Sequence, residues 1–175
     1  MHIFLTGFMA SGKSTIGPLV ADRLNRPFAD LDDLIEAEAE QTIPSIFAAE
    51  GEAGFRQREA NALRATASRA DAVIALGGGT VVDPDNRAWT HDHGCVVYLQ
   101  VSPETVLDRV ADAAAERPLL HDDAGDPLSR PAMAQRIREM LRERAAAYEA
   151  ADCVIDAEAL PPVVADRVVA AVPVR

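Results

Sequence analysis

Residues 7–14 read Gly-Phe-Met-Ala-Ser-Gly-Lys-Ser, the spacing G-x-x-x-x-G-K-[ST], with a short apolar run before it (His2–Thr6, HIFLT) and helical periodicity after it. Few folds are open to such a chain. The glycines let consecutive backbone N–H groups curl around phosphate oxygens, where a Cβ would obstruct the turn or the anion. A helix that starts near Lys13 adds the positive end of its dipole. In that geometry Lys13 reaches the β- and γ-phosphates and the Ser14 hydroxyl is a ligand for Mg²⁺, with Ser11, Gly12 and Thr15 completing the nucleotide-binding set. The plain alternative is a glycine-rich strand-to-helix turn that happens to contain Lys-Ser; the matched flanks weigh against it.

The rest of the chain alternates short apolar runs with amphipathic stretches. Strands are expected near 2–6, 72–76, 95–101 and 152–156, with a weaker one at 27–30, and helices near 13–25, 53–69, 103–115, 130–150 and 160–171. Such alternation predicts an α/β fold, a parallel sheet with helices on both faces. Ser102-Pro103 supplies an N-cap followed by proline in the first turn. Residues 116–129 (ERPLLHDDAGDPLS) have no usable periodicity and read either as a lid over bound nucleotide or as a surface insertion.

Composition narrows the function. At 175 residues one core is affordable, since a chain of this size buries roughly 70% of its unfolded surface, and one domain over 1–175 is expected. Seventeen Lys and Arg against 28 Asp and Glu leave a formal charge of −11, so nucleic acid and anionic membrane surfaces are poor partners. No apolar run approaches the roughly 20 residues that span a bilayer, and the chain opens directly on a strand, which points to the cytoplasm. Cys95 and Cys153 each begin a Val-rich strand-like segment and suit small buried thiols better than a metal site.

The second acid separates the classes of phosphate-loop protein. No Asn-Lys-x-Asp guanine-reading segment is present, and the best internal strand, Ala72–Leu76, runs into Gly77-Gly78-Gly79 instead of a carboxylate. Asp156, after CVI, reads as a strand-end turn. The well-placed acids lie in FADLDDLIE (28–36). At the carboxyl end of a strand, Asp30 and Asp32 should face the phosphate-loop crevice, two apart in an extended segment. Helix capping by Asp32 or Asp33 is the competing role.

Taken together, GFMASGKST (7–15), FADLDDLIE (28–36), SIFAAEGEAGFRQRE (45–59), ALGGGTV (75–81), VVYLQV (96–101), ERPLL (116–120) and RERAAAYEAAD (142–152) resemble the shikimate kinase family over nearly the whole chain. The resemblance implies a three-layer αβα fold with a five-stranded parallel sheet in the order 2-3-1-4-5, a lid at about 111–128 and an acceptor-binding region at about 32–60. It implies transfer of the γ-phosphoryl of ATP to the 3-hydroxyl of shikimate, with Mg²⁺; a monomer is expected separately, since the sequence shows no exposed apolar helix face or coiled-coil heptad. In that pattern Arg56 and Arg144 hold the carboxylate of shikimate, Gly77, Gly78 and Gly79 approach its ring, and Asp32 binds hydroxyls and accepts a proton. Asp30 holds Mg²⁺ through water beside Ser14, Lys13 and the lid residue Arg117 neutralise charge on the transferred group, and Arg109 stacks on adenine.

Other roles compete for several of these residues. Arg56, Arg58, Arg142 and Arg144 lie on Glu-rich helical stretches where surface ion pairs are common. His91 and His93 have the spacing of a metal pair without a third ligand and read as a solvated loop, and Trp89 and Tyr148 read as packing residues. Three departures from the family pattern stand out: Pro18 inside the helix that follows the phosphate loop, where a kink is expected, the acidic lid, and Ala145–Ala147 where a proline-containing stretch is usual.

Overall fold

The most apolar runs of the chain take the centre of one sheet, because only a strand covered on both faces can bury every side chain. In the computed structural model, which describes residues 1–110, 118–121 and 125–173, these are β1 (His2–Thr6), β3 (Val73–Ala75) and β4 (Gly94–Gln100). The shorter β2 (Phe28–Asp30) and β5 (Cys153–Asp156) form the edges. All pairings are parallel and the order is β2-β3-β1-β4-β5. Helices α1 (Lys13–Leu24), α2 (Leu31–Ala39), α3 (Ile43–Ala65), α4 (Pro84–His93), α5 (Pro103–Val110), α6 (Arg130–Glu149) and α7 (Pro161–Ala171) cover it. The α/β three-layer architecture expected from the sequence is present.

A parallel sheet puts the loops that leave its carboxyl ends on one edge. Here those are the phosphate loop after β1, Asp30 at the end of β2, the Gly77–Gly79 turn after β3 and residues 157–161 after β5. Beneath them one continuous apolar cluster runs from Phe4, Leu5 and Phe8 through Val97 and Leu99 to Ile137, Tyr148 and Val164.

Four local expectations are corrected. The helix anticipated at 53–69 begins ten residues earlier, at Ile43, and is broken at Gly51, whose φ of 70° and ψ of −175° fall in a region open essentially to glycine alone. The segment holding His91 and His93 is helical: Asp83 caps α4 by accepting the N–H groups of Asp85 and Asn86, both at 2.9 Å, and Pro84 opens its first turn. His93 lies flat on Trp89, centroids 3.9 Å apart. Asp32 is in the first turn of α2 and not in an extended segment, and the cap of that helix is Asp30, not Asp32 or Asp33. Pro18 is exposed, and α1 runs unbroken through it; the missing N–H falls on the solvent side, leaving the Ser14 carbonyl without its intrahelical donor.

Of the lid expected at about 111–128, residues 111–117 and 122–124 lie outside the described residues, and with them Arg117. The described part forms a 3₁₀ turn at Pro118–Leu120, and the Leu128 N–H donates to the Leu120 carbonyl at 2.9 Å. Leu120 is buried.

Candidate active site

Gly12, at φ 97°, ends the phosphate loop and starts α1, its carbonyl accepting the N–H groups of Thr15 at 3.0 Å and Ile16 at 2.8 Å. The Lys13 ammonium lies over the loop, donating to the carbonyls of Gly7 (2.9 Å) and Phe8 (3.0 Å). Ser14 Oγ donates to Asp30 Oδ2 at 2.6 Å, and Asp30 Oδ1 accepts the Asp32 N–H at 3.1 Å. One carboxylate thus ties the first turn of α1 to the first turn of α2. Hydroxyl and carboxylate oxygens side by side are the hard donors that suit Mg²⁺. Among the described residues no group of three or more His, Cys, Asp or Glu side chains could hold a metal ion.

Asp32 is largely buried, and its Oδ1 has no hydrogen-bond partner among the described residues. Burial, with the nearby Asp30 carboxylate adding to it and Lys13 opposing it, pushes its pKa up to about 6. An acid in that range can hold or give up a proton near neutrality.

These residues line a cleft of about 940 Å³ with Met9, Gly78, Arg109 and residues 157–161. Arg109, exposed, bridges two of its loops, donating to the carbonyls of Ala10 (2.9 Å) and Ala157 (3.4 Å). Residues 157–161 were missed by sequence reasoning, although they follow the predicted strand at 152–156 at the edge where ligands collect. Asp156 Oδ1 accepts the Glu158 N–H at 2.9 Å, so it acts as a strand-end turn. The Glu158 carboxylate in turn fixes the Ser102 N–H at 2.6 Å.

A second cavity, about 300 Å³, opens beside the first and shares Met9, Asp32 and Gly78 with it. Its apolar side is Ile43, Pro44, Phe47, Phe55 and Leu119, with Phe47 and Phe55 stacked across the Gly51 break, centroids 4.6 Å apart. Its charged side is Arg56 and Arg144. Arg56 donates to Glu59 at 2.8 Å; Glu59, 1% exposed, also accepts the Thr80 hydroxyl at 2.7 Å. Glu59 was not singled out from sequence, where a Glu on a Glu-rich helix carries no signal. Gly79 lies so close to Arg56 that a Cβ there would come within 2.6 Å of its Nη1. Arg144 donates to the Gly78 carbonyl at 3.2 Å.

The four helical arginines therefore sort cleanly. Arg58 pairs with Glu50 at 2.7 Å and Arg142 is exposed, as surface residues would be. Arg56 and Arg144 converge on one cavity. A pair of guanidinium forks beside an apolar wall and an acid of raised pKa can bind a small hydroxylated carboxylate next to a nucleotide.

Comparison with known proteins places the chain in a family. The family model described as shikimate kinase matches residues 9–173. A shikimate kinase from Salinibacter ruber is 52% identical over 158 residues, covering 90% of this chain and 78% of that protein. The solved shikimate kinase from Acinetobacter baumannii in complex with shikimate is 36% identical, with a TM-score of 0.85 over 95% of this chain and 89% of that one. A gluconokinase from Sinorhizobium meliloti, at 18% identity and a TM-score of 0.63 over 97% and 90% of the two chains, shares the fold alone.

Proposed function

The chain belongs to the shikimate kinase family, an ATP-dependent kinase of small molecules, and from that premise we propose how its residues divide the work of phosphorylating the 3-hydroxyl of shikimate. The observation that carries the reading is the pair of cavities meeting at Met9, Asp32 and Gly78. One is built for a polyphosphate and the other for a carboxylate.

ATP takes the larger cleft, its phosphates on the N–H groups around Ser11, Gly12, Lys13, Ser14 and Thr15, its base near Arg109. Shikimate takes the smaller, its carboxylate between Arg56 and Arg144 and its ring beside Gly77, Gly78 and Gly79. Asp32 lies where the two meet and accepts the proton of the attacking hydroxyl. The new bond joins that oxygen to the γ-phosphorus as the bond to the β-phosphate oxygen breaks, and ADP leaves. Lys13 neutralises charge on the transferred group, since phosphoryl transfer depends mainly on positioning and electrostatics; Arg117 is assigned the same task on the family pattern. Ser14 and Asp30 would hold Mg²⁺, which when bound supplies positive charge to the phosphate oxygens. One kinase domain over 1–175, with the acceptor region at about 32–60 and the lid at about 111–128, a monomer and a cytoplasmic location belong to the same proposal. Among the described residues no helix is long and apolar enough to cross a membrane.

ADP release from Mg·ATP tests the reading, with no acceptor, shikimate, D-gluconate and a nucleoside monophosphate in parallel. Turnover with shikimate alone is expected. A response to gluconate or the nucleotide would reassign the acceptor cavity, and ATP binding with silence toward all three would point to a nucleotide-binding regulator.

A further inference from the structure

Gly78 occupies the wall between the two cavities, and its carbonyl is what fixes its position. Toward the phosphate loop there is room for one more carbon, since a Cβ at this residue would stand at ordinary van der Waals distance, 3.5 Å from the Met9 nitrogen and 3.6 Å from the Gly7 carbonyl oxygen. On the other side its carbonyl accepts two hydrogen bonds, from the Arg144 guanidinium at 3.2 Å and from the Tyr148 hydroxyl at 2.5 Å. A carbonyl oxygen has two lone pairs, so both are engaged. Arg144 and Tyr148 are four residues apart on α6 and so share one face of it, one turn apart. Tyr148 is completely buried, and its ring stacks on Tyr98 of β4, centroids 5.0 Å apart and planes 21° from parallel. The phenol is therefore braced against the sheet, while Arg144, partly exposed, lies beside the Tyr148 hydroxyl and over Phe8, whose ring centroid is 5.7 Å from its guanidinium carbon.

We propose that Tyr148 is a positioning residue for the acceptor: by holding the Gly78 carbonyl from the core side, its hydroxyl fixes the wall between the cavities and the direction in which Arg144 presents its remaining N–H groups. Without that hydroxyl the carbonyl keeps a single donor. Among the described residues Arg144 is then the donor left to satisfy it, and the guanidinium is drawn toward the backbone at the expense of the acceptor. The effect is confined to the acceptor cavity, because the phosphate loop keeps its own backbone contacts. The inference rests on the reading of that cavity as the shikimate site.

The test is Tyr148→Phe, which keeps the ring and its stacking on Tyr98, compared with Tyr98→Phe, which removes a hydroxyl from the same aromatic pair. Shikimate affinity by calorimetry, KM for shikimate and for ATP, and Tm are measured for each. Wild-type turnover that depends on shikimate establishes the acceptor reading separately, so its failure and the failure of this proposal are distinguishable. For Tyr148→Phe the dissociation constant and KM for shikimate should rise roughly tenfold, the worth of one buried hydrogen bond, with KM for ATP changed less than twofold and no such split in Tyr98→Phe. Combining Tyr148→Phe with Arg144→Lys should cost less than the product of the two separate losses. A lowered Tm with both KM values unchanged, a parallel rise in both KM values, or an equal shikimate effect in Tyr98→Phe would overturn the assignment and leave Tyr148 a packing residue.

Discussion

The two cavities, read as donor and acceptor ends, are built in different ways. The phosphate-binding part of the donor end is backbone from one contiguous stretch, residues 7–15, with a single carboxylate, Asp30, fastening it to the next helix, and Arg109 and residues 157–161 complete the cleft around it. The acceptor end has no such stretch: Asp32 comes from α2, Arg56 from α3, Gly77–Gly79 from the turn after β3, Leu119 from the turn at Pro118–Leu120 and Arg144 from α6. Contiguous backbone makes a site robust and general; side chains gathered from distant segments make it selective and dependent on the whole fold.

Breaking each half should therefore show a different signature. Lys13→Ala, at the donor end, is expected to lower kcat on the order of 10³-fold or more if Lys13 neutralises the transferred group as proposed; single-turnover kinetics with saturating shikimate would check it. Asp32→Asn, at the junction, should reduce kcat on the order of 10²-fold; an unaltered kcat would make Asp32 an orienting group only. Arg144→Ala should raise KM for shikimate roughly hundredfold, about 3 kcal/mol for a partly desolvated charge pair, with KM for ATP unmoved. An unchanged KM for shikimate would remove Arg144 from the acceptor set.

Two smaller effects sharpen the comparison through stability. Because the fold raises the pKa of Asp32 to about 6, its ionisation costs stability: the fold is favoured below the ordinary carboxylate range, and that advantage is lost as pH rises through about 6. Asp32→Asn should accordingly be more stable than the wild type at pH 8, by up to about 3 kcal/mol, and no more stable at pH 3.5, in urea titrations at the two pH values. Gly51→Ala should cost about 1–3 kcal/mol, from its glycine-only backbone geometry and not from crowding, since none of the described residues lies within 4 Å of the added Cβ.

How much of each half could be read from sequence follows from the same contrast. Phosphate binding by backbone leaves a fixed local spacing, so the P-loop and the sheet that carries it were legible directly. Arg56 and Arg58 look alike in the sequence, and only packing against Gly79 and Glu59 distinguishes the one that lines the cavity; the resemblance to a known family, not the residues alone, singled it out. The Asp32 side chain was assigned to the right crevice for the wrong reason, since α2 starts one residue after Asp30 and its first turn, not strand alternation, sets the direction. The α4 helix was missed because its polar surface hides periodicity, although Asp83-Pro84 carries the same start signal as Ser102-Pro103. Gly51 gave no warning of a break, since a glycine within a helical pattern is often simply tolerated.

The wall common to the two cavities sets what can be re-engineered. Met9, Asp32 and Gly78 belong to both, so exchanging any of them to admit a new acceptor would disturb the nucleotide as well. Ile43, Phe47, Phe55, Leu119 and the two arginines touch the acceptor side alone. A library aimed at a different hydroxylated substrate should vary those positions and hold the partition constant, leaving the phosphoryl donor machinery to travel unchanged from one specificity to the next.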